Sequence, residues 1–170
     1  MLRSIILFPD LNKHHNLFQN IREKYDPLAN CIAPHVTLVF PFESNISNEE
    51  LKQHLNGMLQ GIKRFTIEFK GITGDMRDGY LFLNVKKGND QIIELHDRLY
   101  TGMLKDYLHR GIIYCPHITV GKIDDPDKFN QAIVELSVFD IAIKSEIDRI
   151  YVEAIDEDNN LIIQLTYELD

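Results

Sequence analysis

Apolar residues alternate with polar ones in some stretches of the chain and recur at every third or fourth position in others, and these two periods divide it into strands and helices. Residues 3–8 predict a first strand, and 12–24 a helix that Tyr25-Asp26-Pro27 ends. A strand over 34–40 stops at Pro41. Ser47, with Glu50 three positions on, has the form of a capping box and opens a helix over 48–60, closed near Gly61. Strands over 64–70 and 79–86 follow, joined by a turn-rich link holding Gly71, Gly74, Asp78 and Gly79. From Asn89 or Asp90, the spacing of Ile92, Leu95, Leu99, Met103 and Tyr107 predicts the longest helix, running to Gly111. A strand over 114–120 precedes a short helix that Asp125, as N-cap, and Pro126 open and that ends near 136. Strands over 138–144, 147–154 and 161–168 complete the pattern, the last two linked across a solvated acidic tip at 156–160.

Two of these strands carry nearly the same phrase. Pro34-His35-Val36-Thr37-Leu38-Val39 returns as Pro116-His117-Ile118-Thr119-Val120-Gly121. Successive side chains of a strand point to opposite faces, so each His shares a face with its Thr while Val36, Leu38, Ile118 and Val120 point the other way. The repetition extends further: Phe65-Thr66-Ile67-Glu68-Phe69-Lys70 matches Phe139-Asp140-Ile141-Ala142-Ile143-Lys144 as Phe, Ile, an apolar residue and Lys. The pattern is that of two β-α-β-β lobes with a rough two-fold relation, each presenting its His-Thr strand to a shared groove. No linker or low-complexity segment separates them, so residues 1–170 read as one bilobal domain.

Composition narrows the classes of partner. At 44% apolar and 26% charged residues, the 170-residue chain has an ordinary globular balance and enough length to bury a core. Its apolar runs are too short to span a membrane, and the N-terminal one reads as a strand rather than a secretory signal. The net charge of −8 argues against coating long RNA or DNA, which relies on neutralising many phosphates. A nucleotide or an RNA terminus held in a locally basic cleft remains compatible with it. Cys31 and Cys115 are the only cysteines, and a free, reduced pair in the cytoplasm is expected.

The paired histidines suggest a chemistry. Cleaving or forming a phosphodiester beside a hydroxyl moves two protons, one from the attacking oxygen and one to the leaving oxygen. Histidine serves both steps because its ordinary pKa, about 6.5, lets one ring be neutral and another protonated near neutrality. A Thr beside each His can donate its hydroxyl to a non-bridging phosphate oxygen, where charge develops. Thus His35 and His117 are candidate acid and base, and Thr37 and Thr119 candidate phosphate donors. A single His-x-Thr is commonly structural; two in matching surroundings point to function. A metal site is the competing reading, and Cys115 is the residue that keeps it open. His14, His15, His54, His96 and His109 are expected in solvated or helix-end roles, and Phe8, Phe42, Tyr80 and Tyr114 are aromatics that could stack on a base, though each is more often a core residue than a platform.

The pair His35-Val36-Thr37-Leu38 and His117-Ile118-Thr119-Val120 resembles the duplicated signature of the two-histidine (2H) phosphoesterase superfamily, which includes the LigT-like 2′-5′ RNA ligases. Tyr25-Asp26-Pro27 and the overall length are similar to small bacterial members of its YjcG-like branch. The resemblance implies an α+β, bilobal fold with antiparallel-rich sheets around a central groove and helices outside. It implies acid/base work without metal or other cofactor on a 2′,3′-cyclic phosphate or a 2′-5′ linkage in RNA or nucleotides, by His35 and His117 with Thr37 and Thr119. Members often carry a basic residue after a motif. Here Val39 and Phe40 follow the first, so that cation is missing or comes from elsewhere; Gly121-Lys122 follows the second, and a bulge at Gly121 would give Lys122 the face of Thr119. The alternative is a non-catalytic module that binds RNA ends or cyclic nucleotides.

Overall fold

Strands and helices alternate through the first three quarters of the chain. The computed structural model describes residues 1–157 and 160–170. β1 (Leu2–Leu7) leads through a 3-10 turn to α1 (His15–Tyr25), β2 (Val36–Glu43) and α2 (Asn48–Leu59). β3 (Phe65–Asp75), β4 (Tyr80–Lys87), α3 (Asn89–Leu99), β5 (His117–Lys122) and α4 (Pro126–Leu136) follow, and β6 (Ile143–Ile147), β7 (Arg149–Ile155) and β8 (Leu161–Glu168) close the chain. Local chemistry sets several of these ends. The Ser47 hydroxyl accepts the Glu50 N–H while the Glu50 carboxylate accepts the Ser47 N–H, a complete capping box, and the Asp125 carboxylate accepts the N–H groups of Asp127 and Lys128 ahead of α4.

The strands make two four-stranded sheets, ordered β2-β1-β7-β8 and β5-β4-β3-β6, with every pairing antiparallel. Each helix buries one face, such as Leu51, His54, Leu55 and Leu59 of α2 or Phe129, Ala132 and Leu136 of α4. A continuous core joins the sheets and helices, with Ile5, Leu38, Phe69, Leu83, Ile118 and Val152 all buried within it. Both motif strands are sheet edges, and β2 touches β5.

The repeated segments are shared between the sheets in a way that linear order does not show. β3 and β4 follow the first motif strand yet lie in the sheet of the second, while β7 and β8 follow the second and lie in the sheet of the first. Segments 65–70 and 139–144, matched in sequence, adjoin through β3 and β6, with Phe65 opposite Ile147 and Phe69 opposite Ile143.

Several expected boundaries move, among them that of the strand expected over 114–120, which runs His117–Lys122. The helix expected to reach Gly111 ends at Leu99; a 3-10 helix, Gly102–Tyr107, takes over after Gly102 adopts a φ of +53°, a conformation natural to glycine. The change of period buries Leu104 in place of Met103. β2 does not stop at Pro41. It bulges there, where the register passes from Ile5–Val39 to Arg3–Phe42, and an edge strand tolerates a missing N–H. The strand expected over 138–144 begins only at Ile143, because Phe139 turns its ring onto Phe18 of α1, 5.4 Å away, and Asp140 pairs with Lys70. β3 runs on into the link expected as a turn, to Asp75. Residues 158 and 159 of the acidic tip lie outside the described residues.

Candidate functional site

His35 stands just before β2, and His117 is the first residue of β5. Each ring is fixed in the same way. His35 Nδ1 lies 2.9 Å from the Ala33 carbonyl oxygen, and His117 Nδ1 lies 2.7 Å from that of Cys115. A carbonyl only accepts, so Nδ1 carries the proton and Nε2 is left as the free nitrogen of each neutral ring. In both motifs the acceptor is two residues upstream, across the proline that starts the phrase. Phe8 meets the His35 ring edge-on, and Phe82 lies 4.0 Å from the His117 ring centre.

Burial lowers the pKa of both histidines from the ordinary value. For His35, the Ala33 carbonyl opposes that shift, the Arg22 guanidinium adds to it and Asp26 opposes it. For His117, the Cys115 carbonyl opposes it and the charge of His35 adds to it.

Two adjoining cavities occupy the groove between the motif strands. One, of about 360 Å³, is lined by Arg22, Asp26, His35, Tyr80, Thr119 and Lys122, with Pro27, Leu28, Ile32 and Pro34 closing its apolar side. The other, of about 930 Å³, is lined by Thr37, His117 and Thr119 and by the rings of Phe40, Tyr80, Phe82 and Tyr114. Thr119 and Tyr80 belong to both. The sequence-predicted residues His35, Thr37, His117, Thr119 and Lys122 thus all line the groove. For Lys122 the reason is a bulge: Thr119 pairs with Phe82 and Gly121 with Leu81, so one extra residue of β5 returns Lys122 to the face of Thr119. Its Nζ lies 5.2 Å over the Tyr80 ring and bonds Asp124.

Several groups that shape the groove escape a motif-based reading. Arg22, whose side chain is 3% exposed, reaches the His35 cavity from the last turn of α1, with Nε and Nη2 bonded to Asp26 Oδ2 at 3.0 and 2.8 Å. The Arg22–Asp26 spacing of four on a helix end was the available signal. His54 and His96 are not solvated, although His96 does lie in the last turn of α3. Both are buried, because the helix faces they occupy pack inward: His54 Nε2 bonds the Leu99 carbonyl, and His96 Nδ1 donates to the Leu38 carbonyl at 2.7 Å. His96 stacks on Tyr114, whose hydroxyl donates to the Thr37 carbonyl, and the Phe40 N–H donates to Tyr100. Side chains therefore satisfy the backbone of β2 where no further strand pairs with it. Of the other aromatics, Phe42 is core, Phe8 packs on Tyr151, and Tyr80 is 39% exposed and stacks with Phe82. Cys31 and Cys115 are free and exposed, and among the described residues no three His, Cys, Asp or Glu side chains are grouped to hold a metal ion.

A family model described as the 2′-5′ RNA ligase superfamily matches residues 8–159. The chain is 26% identical over 154 residues to a Bacillus licheniformis protein named "Putative phosphoesterase", covering 89% of this chain and 88% of that one. A protein of the same description from Halalkalibacterium halodurans is 27% identical over 170 residues, covering 98% and 88%. Among solved structures, Escherichia coli LigT complexed with 3′-AMP superposes with a TM-score of 0.68 at 14% identity, covering 98% of this chain and 97% of that one. The Thermus thermophilus protein TT0787 superposes with a TM-score of 0.63 at 13% identity, covering 99% and 98%. At such identities the structural likeness is one of fold.

Proposed function

The chain belongs to the 2′-5′ RNA ligase superfamily, and on that premise we propose that it is a metal-independent phosphoesterase that opens 2′,3′-cyclic phosphates or cleaves, and in reverse joins, 2′-5′ phosphodiesters in RNA or nucleotides. One observation carries the reading: two histidines in one groove, each with Nδ1–H held by a carbonyl and Nε2 left free. One neutral ring takes a proton at Nε2 from the attacking oxygen as that oxygen bonds to phosphorus. The attacker is water in hydrolysis, the neighbouring ribose hydroxyl in cleaving a 2′-5′ linkage to a cyclic phosphate, and a 5′-hydroxyl in joining. The other, protonated at Nε2, gives its proton to the ribose oxygen as the P–O bond breaks. The lowered pKa values keep both rings neutral in the empty groove near neutral pH, and a bound phosphate favours protonating one of them. Thr37 and Thr119 supply hydroxyl donors to the non-bridging oxygens, and Lys122 a nearby positive charge. LigT's complex with 3′-AMP supports a nucleotide as occupant, with the exposed Tyr80 face and the rings of the larger cavity beside the base. The free, exposed cysteines fit a reducing, cytoplasmic setting.

The test is turnover of a panel of 2′,3′-cyclic nucleotides and a 2′-5′ dinucleotide in EDTA. Each histidine is expected to be worth about 10²–10⁴-fold, so H35A and H117A should each remove nearly all product, and the double variant should be little worse than either. Full activity in either folded single variant rejects the paired-histidine mechanism.

A further inference from the structure

The two His-x-Thr phrases lie on edge strands of different sheets, so no strand pairing fixes one against the other. Among the described residues, one hydrogen bond joins the approach of the second phrase to the first: Tyr114, just ahead of Cys115, Pro116 and His117, donates its hydroxyl to the Thr37 carbonyl at 2.8 Å. Both ends of that bond are fixed. The Tyr114 ring lies flat on His96, with 3.6 Å between ring centres and 8° between planes, and His96 Nδ1 donates to the adjacent carbonyl of β2, that of Leu38. Phe40 meets the same ring edge-on. Beyond Tyr114, the Cys115 carbonyl holds His117 Nδ1, and the Pro116 carbonyl accepts the Val85 N–H of β4. A short path of fixed groups therefore runs from the backbone of one motif to the ring of the other. Burial holds the Tyr114 hydroxyl well above its ordinary pKa, so it remains a donor through the neutral range.

We propose that Tyr114 is a positioning residue for the paired motifs: its hydroxyl ties β2 to the approach of β5 and so holds Thr37, with His35 beside it, at the separation from His117 that one phosphate group spans. The phosphate rests on the phosphoesterase reading; the tie itself does not. Core packing also brings β2 against β5, through Val36, Leu38, Ile118 and Val120. Apolar contact is non-directional, however, whereas a hydrogen bond sets a distance and an angle. Position matters out of proportion to the bond, because a misplacement of about 1 Å can cost about 10²-fold in rate. Y114F deletes the tie and keeps the ring, its stack on His96 and the wall of the larger cavity. It changes neither histidine and neither threonine.

The experiment measures kcat and KM of the full chain carrying Y114F on the best substrate of the panel, with T37V and the Y114F/T37V pair beside it. Here kcat should fall about tenfold while KM moves less than about twofold, the mark of an interaction realised in the transition state. Lost stability alone would only scale activity with the folded fraction. Because Tyr114 acts through Thr37, the Y114F loss should shrink in the T37V background. A folded Y114F with wild-type kcat overturns the proposal, as does a loss fully additive with that of T37V. Inorganic phosphate, which has no base to hold it, gives a readout that needs no turnover. Followed by NMR at the histidine ring protons, it should shift His35 and His117 together in the wild type and bind Y114F at least about threefold more weakly. Equal binding by the two proteins overturns the proposal, and so, without any variant, does a wild type in which phosphate fails to move both rings. Phosphate binding that depends on Tyr114, in a protein that turns over no panel substrate, would instead refute the phosphoesterase reading and leave the tie standing.

Discussion

The two motif strands hold their histidines alike and are themselves held differently. Both rings hang from a carbonyl two residues upstream, at 2.9 Å for His35 and 2.7 Å for His117. Around β2 the supports are polar side chains: His96, Tyr100 and Tyr114 satisfy the backbone of Leu38, Phe40 and Thr37. Around β5 the support is close packing. α1 lies against the strand, and Gly121 lets the end of that helix approach where a Cβ would stand 2.9 Å from Tyr25 Cβ and 3.2 Å from the Tyr25 carbonyl oxygen. Repetition has thus kept what aims the ring, while the two edges stay in place by different means. The contact of α1 with β5 also carries Arg22 and Asp26 into the His35 cavity, so packing on one motif shapes the electrostatics of the other.

This asymmetry ranks the threonines. Thr119 lines both cavities, in company with both histidines, while Thr37 lines only the one that holds His117. Removing one aimed donor commonly costs about 10²–10³-fold in kcat. T119V is therefore expected to lower kcat/KM by about 10²-fold on the best substrate of the panel, and T37V by clearly less. Valine preserves shape and strand preference, so the comparison reads the hydroxyl. Equal losses, or a larger loss for T37V, would mean that the junction of the two cavities at Thr119 is not where phosphate sits.

The two modes of support give the next contrast. At Gly121 an added methyl also meets Leu81 Cδ1 at 2.9 Å, so G121A must push α1 or β4 away from β5, an overpacking that costs about 1–3 kcal/mol. On the other edge, Y114F removes one hydrogen bond to the Thr37 carbonyl, worth about 0.5–1.5 kcal/mol. Urea denaturation should therefore rank G121A as the more damaging, and only G121A should disturb Arg22 signals across the groove. If Y114F proves the more destabilising, the polar network rather than the packed glycine is the firmer fixture.

What the sequence conveyed and what it hid divide along contact range. Strand alternation, the Ser47–Glu50 capping box and the Asp125-Pro126 start are local, and each marks its element within a few residues. The repeated phrase is local too, so all five predicted site residues line the groove, and even the bulge that turns Lys122 could be posed from parity alone. The partition of strands between sheets depends on pairings such as Phe65 with Ile147, which no local pattern encodes. The apolar spacing of α3 continues through Met103 and Tyr107, and only the backbone conformation at Gly102 reveals that the period tightens there. Arg22 is not legible from the motif strands, because folding brings it to the groove from the last turn of α1. His54 and His96 face inward for reasons that no local pattern shows: His54 meets the end of α3 at Leu99, and His96 meets β2 at Leu38 and the ring of Tyr114.

The smallest effect concerns pH and tests whether the two rings share one groove. Burial lowers the pKa of His35 and His117 below the unfolded value near 6.5. Between the lowered folded value and about 6.5 the unfolded chain binds more protons, so each ring makes stability rise with pH there and fall as pH drops through that window. Other groups also bend the curve: His96 is lowered by burial and adds to the rise, while Glu153 is raised by burial and makes stability fall as pH rises above its unfolded value. Differences between variants cancel both. H35N and H117N should each flatten the rise of stability with pH in the window below about pH 6.5. The charge of His35 contributes to the lowering at His117, and repulsion is mutual, so each single variant also relaxes the surviving ring. The flattening in the double variant should therefore fall short of the sum of the two singles. Strict additivity would mean that the rings do not sense one another, and the paired-histidine site would lose the electrostatic contact on which its division into acid and base depends.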